Sequence, residues 1–565
     1  MTVNEDLEST AANPPSKQRK TLRKAFKESF LEYSGNTALH GVPYFSQQRP
    51  LRENIFWLCV ILLSVFYCAT SVSQTFGKWR ERPVIVSFSE KSVDISKIPF
   101  PAVTICPETK RPLRKGPSFN ELFLELNKMG VFSGNSTAND TTTDKKLKEF
   151  LTLAQVCELE YLSDPDNVSG EFDLDIRQLE IPSIDYMAIL KEMAVEIEKY
   201  DIGQWWSSHL LNATQVYTTS YTEEGLCYTF NALNNTDLYR ENTVQYQMMT
   251  DTPATDSSTE VINRTLSWSM EHGYAPDSPL NTYPARVTSC GSRSGLVSSF
   301  YDRRENNDYT CRGPTQGFKL VLHAPDAVPS IAKRFVRIDM AKEVAIAVKP
   351  KLMQTSRDIA VFSPEKRQCY FNDERPLKFF KIYNTDNCEL ECLTNYTLKK
   401  CNCVRFAMPR TPDMPVCTLA QLDCYKSAEE DMLMNKFNAH YAQKGGAKGS
   451  KPDESQCRCL PSCTSLEYDM QISKGVLEIR RWILKSLVYT GNGTLPAVES
   501  AQLSIYFKNN QFIATKRSKL FTFYDLLSNC GGIGGLFIGF SLLSIAEVLF
   551  HFTMRFWANW KVKKE

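Results

Sequence analysis

Two long apolar runs interrupt an otherwise mixed chain. The first, residues 55–76, reads I-F-W-L-C-V-I-L-L-S-V-F-Y-C-A-T-S-V-S-Q-T-F, and the second covers about residues 526–550. Each is long enough to cross a ~30 Å hydrocarbon core as a helix. Between them, F-P-A-V-T-I-C-P (100–107), G-F-K-L-V-L-H-A-P (317–325) and A-Q-L-S-I-Y-F-K (501–508) predict strands, with apolar and polar positions alternating most clearly in the second. Apolar spacing at 120–126 and 186–197 predicts amphipathic helices. The pattern predicts a membrane protein with two transmembrane helices flanking one large α+β domain.

The second run is not the composition of a plain anchor. It holds Gly531, Gly532, Gly534, Gly535 and Gly539, with Ser528, Ser541, Ser544 and Glu547. Small residues let backbones approach closely and let a helix unwind where neighbours re-satisfy its carbonyls. A carboxylate in lipid is costly, so Glu547 is expected to face water or a partner. Gly531 and Gly535 also fit the small-xxx-small spacing of a packing interface. The residues alone support an ion path and a packing face about equally.

Sidedness comes from chemistry between the runs. All eight N-x-S/T sequons lie there, at Asn135, Asn139, Asn167, Asn212, Asn234, Asn263, Asn395 and Asn492, as do fifteen of the eighteen cysteines. N-linked glycans and disulfides both belong to an oxidising compartment. The middle is therefore expected outside the cell and both termini in the cytoplasm. Flanking charge decides little, since Arg49 and Arg52 precede the first run while Lys78, Arg80 and Arg82 follow it. The first run starts too far into the chain for a cleaved signal peptide and is expected to act as a signal anchor. Lys17, Arg19, Lys20, Arg23, Lys24 and Lys27 form a basic cluster suited to anionic lipid headgroups. The net charge of +2 over 565 residues gives no reason to expect nucleic acid as a partner.

Ten cysteines crowd between Cys369 and Cys463, including C-N-C at 401–403 and C-R-C-L-P-S-C at 457–463. C-x-C is a poor structural zinc spacing, and no nearby histidines complete a set, so no metal is expected. No nucleophile elbow, phosphate loop or catalytic set appears either, and no enzyme or cofactor is expected.

Gly539-Phe540-Ser541, preceded by G-L-F-I-G and followed six residues later by Glu547, resembles the G-x-S selectivity filter of the degenerin/epithelial sodium channel family. His40-Gly41 before the first run resembles that family's gating motif. Residues 100–107, 225–231 and 317–325 resemble family strands, so the resemblance runs from about 40 to 556 outside a variable finger at about 108–225. R-Q-C-Y-F-N-D-E (367–374) resembles the insect pickpocket branch. Before Cys369 stands E-K-R-Q, where acid-sensing members carry a tryptophan, which speaks against proton gating.

The resemblance implies a trimer, homomeric or built with related subunits, in the plasma membrane and permeant to sodium. It implies a cytoplasmic segment 1–54, a first span 55–76, an extracellular domain 77–520, a second span 521–553 and a short cytoplasmic tail 554–565. It places the filter at Gly539, Phe540 and Ser541, and the pore and gate at Ser528, Asn529, Gly532 and Glu547. Ser528 falls at the outer gate, near the site of block by amiloride-like cations. The implied disulfides are Cys106–Cys227, Cys369–Cys463, Cys388–Cys459, Cys392–Cys457, Cys401–Cys424 and Cys403–Cys417, the last five expected to staple two long thumb helices rung by rung into a stiff lever. Cys157, Cys290 and Cys311 remain, and one of them is free or pairs between subunits. Residues 444–451, K-G-G-A-K-G-S-K, read as a flexible loop. Two other readings share this topology: a two-span glycoprotein receptor or scavenger, and a subunit that conducts only in heteromers. The stimulus, whether extracellular ligand, force or none, is not written in the sequence.

Overall fold

The computed structural model describes residues 22–45, 50–81, 83–132, 141–157, 184–248, 266–444, 457–479, 481 and 498–557. Of the positions singled out above, Lys17, Arg19, Lys20, Arg49, Arg82, Asn135, Asn139, Asn167, Asn263, Asn492 and the glycine-rich stretch from 445 lie outside them. The chain divides into two compact units: residues 1–85, 358–367 and 518–565, and residues 86–357 and 368–517.

The first unit is helical. Helix α1 (Leu22–Asn36) precedes α2 (Leu51–Glu81), which carries the first apolar run. Only Cys68 is buried in α2, while Phe56, Leu62, Leu63 and Phe66 are exposed. A helix apolar all round and uncovered by its own chain is a membrane-type helix. Among the described residues it is the one single helix long and apolar enough to cross a bilayer. The second run is not continuous: it forms two helices, bent 68° at a short break, which pass the same test only as a pair.

The second unit packs two sheets on one core. Strands β1 (Val84–Asp94), β2 (Ala102–Pro107), β3 (Asp201–Trp206), β4 (His209–Leu211), β5 (Thr218–Thr222) and β6 (Gly225–Phe230) come first. A two-stranded hairpin, β7 (Trp268–Ser269) with β8 (Gly273–Tyr274), follows. Then come β9 (Leu296–Arg303), β10 (Phe318–His323), β11 (Val336–Ile338), β12 (Lys342–Thr355), β13 (Ser465–Val476), β14 (Val498–Phe507) and β15 (Gln511–Lys519). The larger sheet runs β1-β15-β12-β14-β9-β3-β4 with β13 also on β12, and the smaller runs β11-β10-β2-β6-β5. Val344, Ile346 and Val348 alternate inward along β12, as a half-buried strand requires. They meet Val103, Ile105, Phe230 and Leu320 from the smaller sheet, and Phe100 stands edge-on to Trp206 and Phe507 at 5.0 and 5.5 Å.

Helices α3 (Phe119–Lys128), α4 (Thr141–Val156) and α5 (Tyr186–Met193) form a separate core, with Phe119 stacked on Phe150 at 5.1 Å. The expected helix at 186–197 is shorter than its pattern. Tyr186, Leu190 and Met193 bury in this helical core, whereas Val195 and Ile197 bury among the strands. The chain must cross from one core to the other, and Ala194 is extended (φ −64°, ψ 156°) to make the crossing.

All eighteen cysteines are described, and fourteen are paired. The six pairs the resemblance implies are closed. Cys157 pairs with Cys311, which leaves Cys290 as the extra thiol of this unit. The expected rungs between two long helices need correction. Helix α6 (Thr385–Cys401) and helix α7 (Leu422–Lys444) are joined directly only by Cys401–Cys424, near their shared turn. Cys388 and Cys392 instead bond Cys459 and Cys457 of the non-helical segment 457–463. One helix is stapled to a returning irregular segment that leads into β13. Of the described sequons, Asn212 and Asn395 are exposed and Asn234 half-buried.

Candidate pore site

Helix α8 (Phe523–Ile538) starts with a reciprocal cap: Thr522 Oγ1 accepts from the Asp525 amide, and Asp525 Oδ2 accepts from the Thr522 amide at 2.9 Å. Such a capping box satisfies two otherwise orphan donors. Ser528 and Asn529 lie on the exposed surface of its second turn, and a Cβ at Gly531 or Gly532 would meet nothing within 4 Å. The helix ends at Gly539, which is left-handed (φ 74°, ψ 21°). Its amide donates to Gly535 O at 2.9 Å, and the Phe540 amide to Gly534 O at 3.2 Å. This paired closure is the glycine C-terminal motif that a residue with a Cβ adopts only under strain.

Ser541 then caps α9 (Leu542–Leu549): its Oγ accepts from the Ser544 amide, and Ser544 Oγ accepts from the Ser541 amide at 3.1 Å. Gly539, Phe540 and Ser541 therefore belong to neither helix, although they lie in the middle of an apolar run. Beyond α9, residues Phe550–Arg555 widen into a π-helical turn.

The N-terminal segment closes on this break. The His40 amide donates to Ile538 O at 2.9 Å, taking up a carbonyl at the end of α8. The His40 ring lies so close to Gly539 that a Cβ there would stand 2.9 Å from it. Gly41 is itself left-handed (φ 85°), and a Cβ on it would stand 2.8 Å from Ile61 on α2. One turn earlier, Thr37 Oγ1 donates to Glu547 Oε2 at 3.4 Å. Glu32 on α1 bonds Arg555 at 2.7 and 2.8 Å, and Tyr33 packs edge-on against His551 and Phe552.

The structure thus brings together His40, Gly41, Gly539 and, through Thr37, Glu547. It leaves Ser528, Asn529 and Gly532 apart from them at the other end of α8. Thr37, Glu32 and Arg555 are contacts that sequence reasoning missed. A threonine in a polar stretch carries no signal, and Glu32 with Arg555 are 523 positions apart. The arrangement offers a short run of backbone between the two helices, in which the Ser541 carbonyl already accepts from the Ser544 amide at 3.1 Å, with a carboxylate beyond it. Chemically, that is a place where oxygens can replace part of a cation's hydration shell.

Residues 33–551 match the family model described as "Amiloride-sensitive sodium channel". Pickpocket protein 28 of Drosophila melanogaster is 28% identical over 546 residues, covering 94% of this chain and 79% of that protein. Sodium channel protein Nach of the same organism is 22% identical, covering 95% of this chain and 89% of its own length. Acid-sensing ion channel 2 of Rattus norvegicus is 26% identical over 239 residues, 41% of each chain.

Proposed function

The chain belongs to the amiloride-sensitive sodium channel family, as an insect pickpocket-type member of the degenerin/epithelial sodium channel group, and on that premise we propose that it is a subunit of a trimeric, sodium-preferring, amiloride-sensitive channel. The family is one of cation channels, not enzymes. The observation that carries the proposal is the break at Gly539–Ser541, held by the His40 amide inside an otherwise apolar helix pair.

In this reading α8 and α9 are the two halves of one broken span, and three copies line a pore on a three-fold axis. Residues 77–520 lie outside the cell, and both termini are cytoplasmic. Carbonyls of Gly539 and Phe540, with the Ser541 hydroxyl, form the filter. Gly532 and its open neighbours let subunits approach closely near the outer gate, where Ser528 and Asn529 stand. Glu547 concentrates cations below the filter, and His40-Gly41 braces it from the inside. The disulfide-stapled segment 457–463 passes movement of α6 into β13 and the large sheet.

The test is to express the chain alone in oocytes and record current in sodium and then potassium, with and without amiloride. Ser528→Val is included because a bulky side chain there wedges the gate open. A sodium-preferring, blockable current, larger in the variant, is the expected result. Silence in both with confirmed surface delivery sinks the homomeric channel, and recovery on co-expression with related subunits then identifies a heteromeric one.

A further inference from the structure

A cavity of about 300 Å³ lies in the second unit, among the β7–β8 hairpin, the segment before α6 and residues 462–464. That volume is at the lower end for small-molecule sites. Its walls are mostly apolar and aromatic, with Leu233, Leu266, Trp268, Tyr370 and Tyr383 prominent. Asp326 is also among its lining residues. Asp326 is only 2% exposed, and its Oδ1 has no hydrogen-bond partner among the described residues.

A buried carboxylate oxygen left without a donor is costly, and a cationic or protonated group that reaches it removes that cost. The remaining charges around the cavity point the same way. Asp237 and Glu271 line it, and no lysine or arginine does among the described residues. Glu271 already has Arg357 at 2.7 Å and the Asn372 amide at 2.9 Å, and Tyr370 already has Arg375 over its ring. Asp237 has the Lys381 charge acting on it, which leaves Asp326 as the lining acid with no basic partner among the described residues, in a cavity that Trp268 and Tyr383 also line. Burial itself pushes the Asp326 carboxyl up to about 7, and Asp386 adds to that.

We propose that this cavity binds a small organic amine, its ammonium group on Asp326 and its apolar body against Trp268 and Tyr383. Cation–π attraction to the rings and the charge-assisted hydrogen bond to the carboxylate act on the same nitrogen. Cys463, at the root of the disulfide ladder, forms part of the wall, so an occupant touches the junction between α6 and β13.

The test is calorimetric and needs no current, so it fails or succeeds independently of conduction. Full-length protein in detergent is titrated with phenethylammonium at pH about 8, where Asp326 is ionised, and with phenethyl alcohol as the neutral match. Saturable binding of the amine is expected, weaker by about tenfold or more for the alcohol and for the Asp326→Asn variant. Leu266→Trp, which fills the rim at a side chain already 38% exposed, is expected to abolish it. Absence of saturable amine binding to the wild type overturns the proposal. So does equal binding of alcohol and amine, or an affinity unchanged in Asp326→Asn. If that variant does not fold, unchanged affinity in Leu266→Trp overturns it instead.

Discussion

Two residues decide whether the break in the second apolar run holds. Gly539 is required twice, by its left-handed backbone and by the His40 ring where a Cβ would go. Left-handed geometry costs an L-residue roughly 1–2 kcal/mol, and the ring contact adds to it. Gly539→Ala is therefore expected to cut current by about tenfold or more with surface delivery unchanged. His40→Ala keeps the amide that caps Ile538 but removes the ring, so the double variant should recover part of that current, which voltage-clamp recording with surface biotinylation measures. Thr37 is the second residue. Its bond to Glu547 is long at 3.4 Å, so Thr37→Val should shift the open fraction by only about 1 kcal/mol, or about fivefold. Thr37→Ser should restore the wild-type value; if it behaves like valine, the hydroxyl is not the operative group.

At the scale of elements, the strands were legible because a short apolar run is a local signal, although β2 and β10 are buried on both faces, Lys319 and His323 included. Residues 100–107, 317–325 and 501–508 each fall on a strand. The apolar spacing at 186–197 outruns the helix because periodicity cannot show that Met193 and Val195 bury in different cores. The disulfide partners came from resemblance, and spacing could not have supplied them. What they join was misread, since cysteine order says nothing of whether 457–463 is helical. That correction has a consequence for stability. The bonds are nested, so removing one leaves its neighbours closing nearly the same loop, and Cys388→Ser/Cys459→Ser alone should cost less than the roughly 2–4 kcal/mol of an isolated bridge. Removing Cys392–Cys457 as well frees the whole segment from α6, and the loss should exceed the sum of the two. Thermal melts of the three variants in detergent check this; strict additivity would mean that the segment is held by something other than the two bonds.

For the whole molecule, two buried groups near the end of β10 set opposite responses to pH. Burial depresses the His323 imidazole to about 4, and its Nδ1 lies 2.9 Å from Ala324 O while Nε2 lies 2.9 Å from Thr104 Oγ1. The folded state holds it neutral, so its contribution is present above its ordinary value of 6.5 and is lost as pH falls towards 4. Asp326 is the reverse: its raised carboxyl contributes fully below 3.8, and that contribution is lost as pH rises through about 7. Between about 4 and 6.5 the unfolded chain holds one proton on the histidine and the folded chain one on the aspartate, so the two slopes cancel. Glu224 enters only at the acid end of this window, where its contribution starts to fade as pH falls below its ordinary 4.5. Burial alone would raise it, but Lys110, Arg312 and Lys319 hold it down to about 2. The wild-type melting temperature should therefore carry no slope from this pair over that range. Asp326→Asn should melt lower as the solution is acidified and His323→Gln lower as it is made alkaline, in melts of purified protein at constant ionic strength. If the two variants respond in the same direction, the groups do not titrate as their burial requires. If the opposition holds, the folded chain changes the protonation of neither group between about 4 and 6.5, and acid in that range alters stability through other carboxylates.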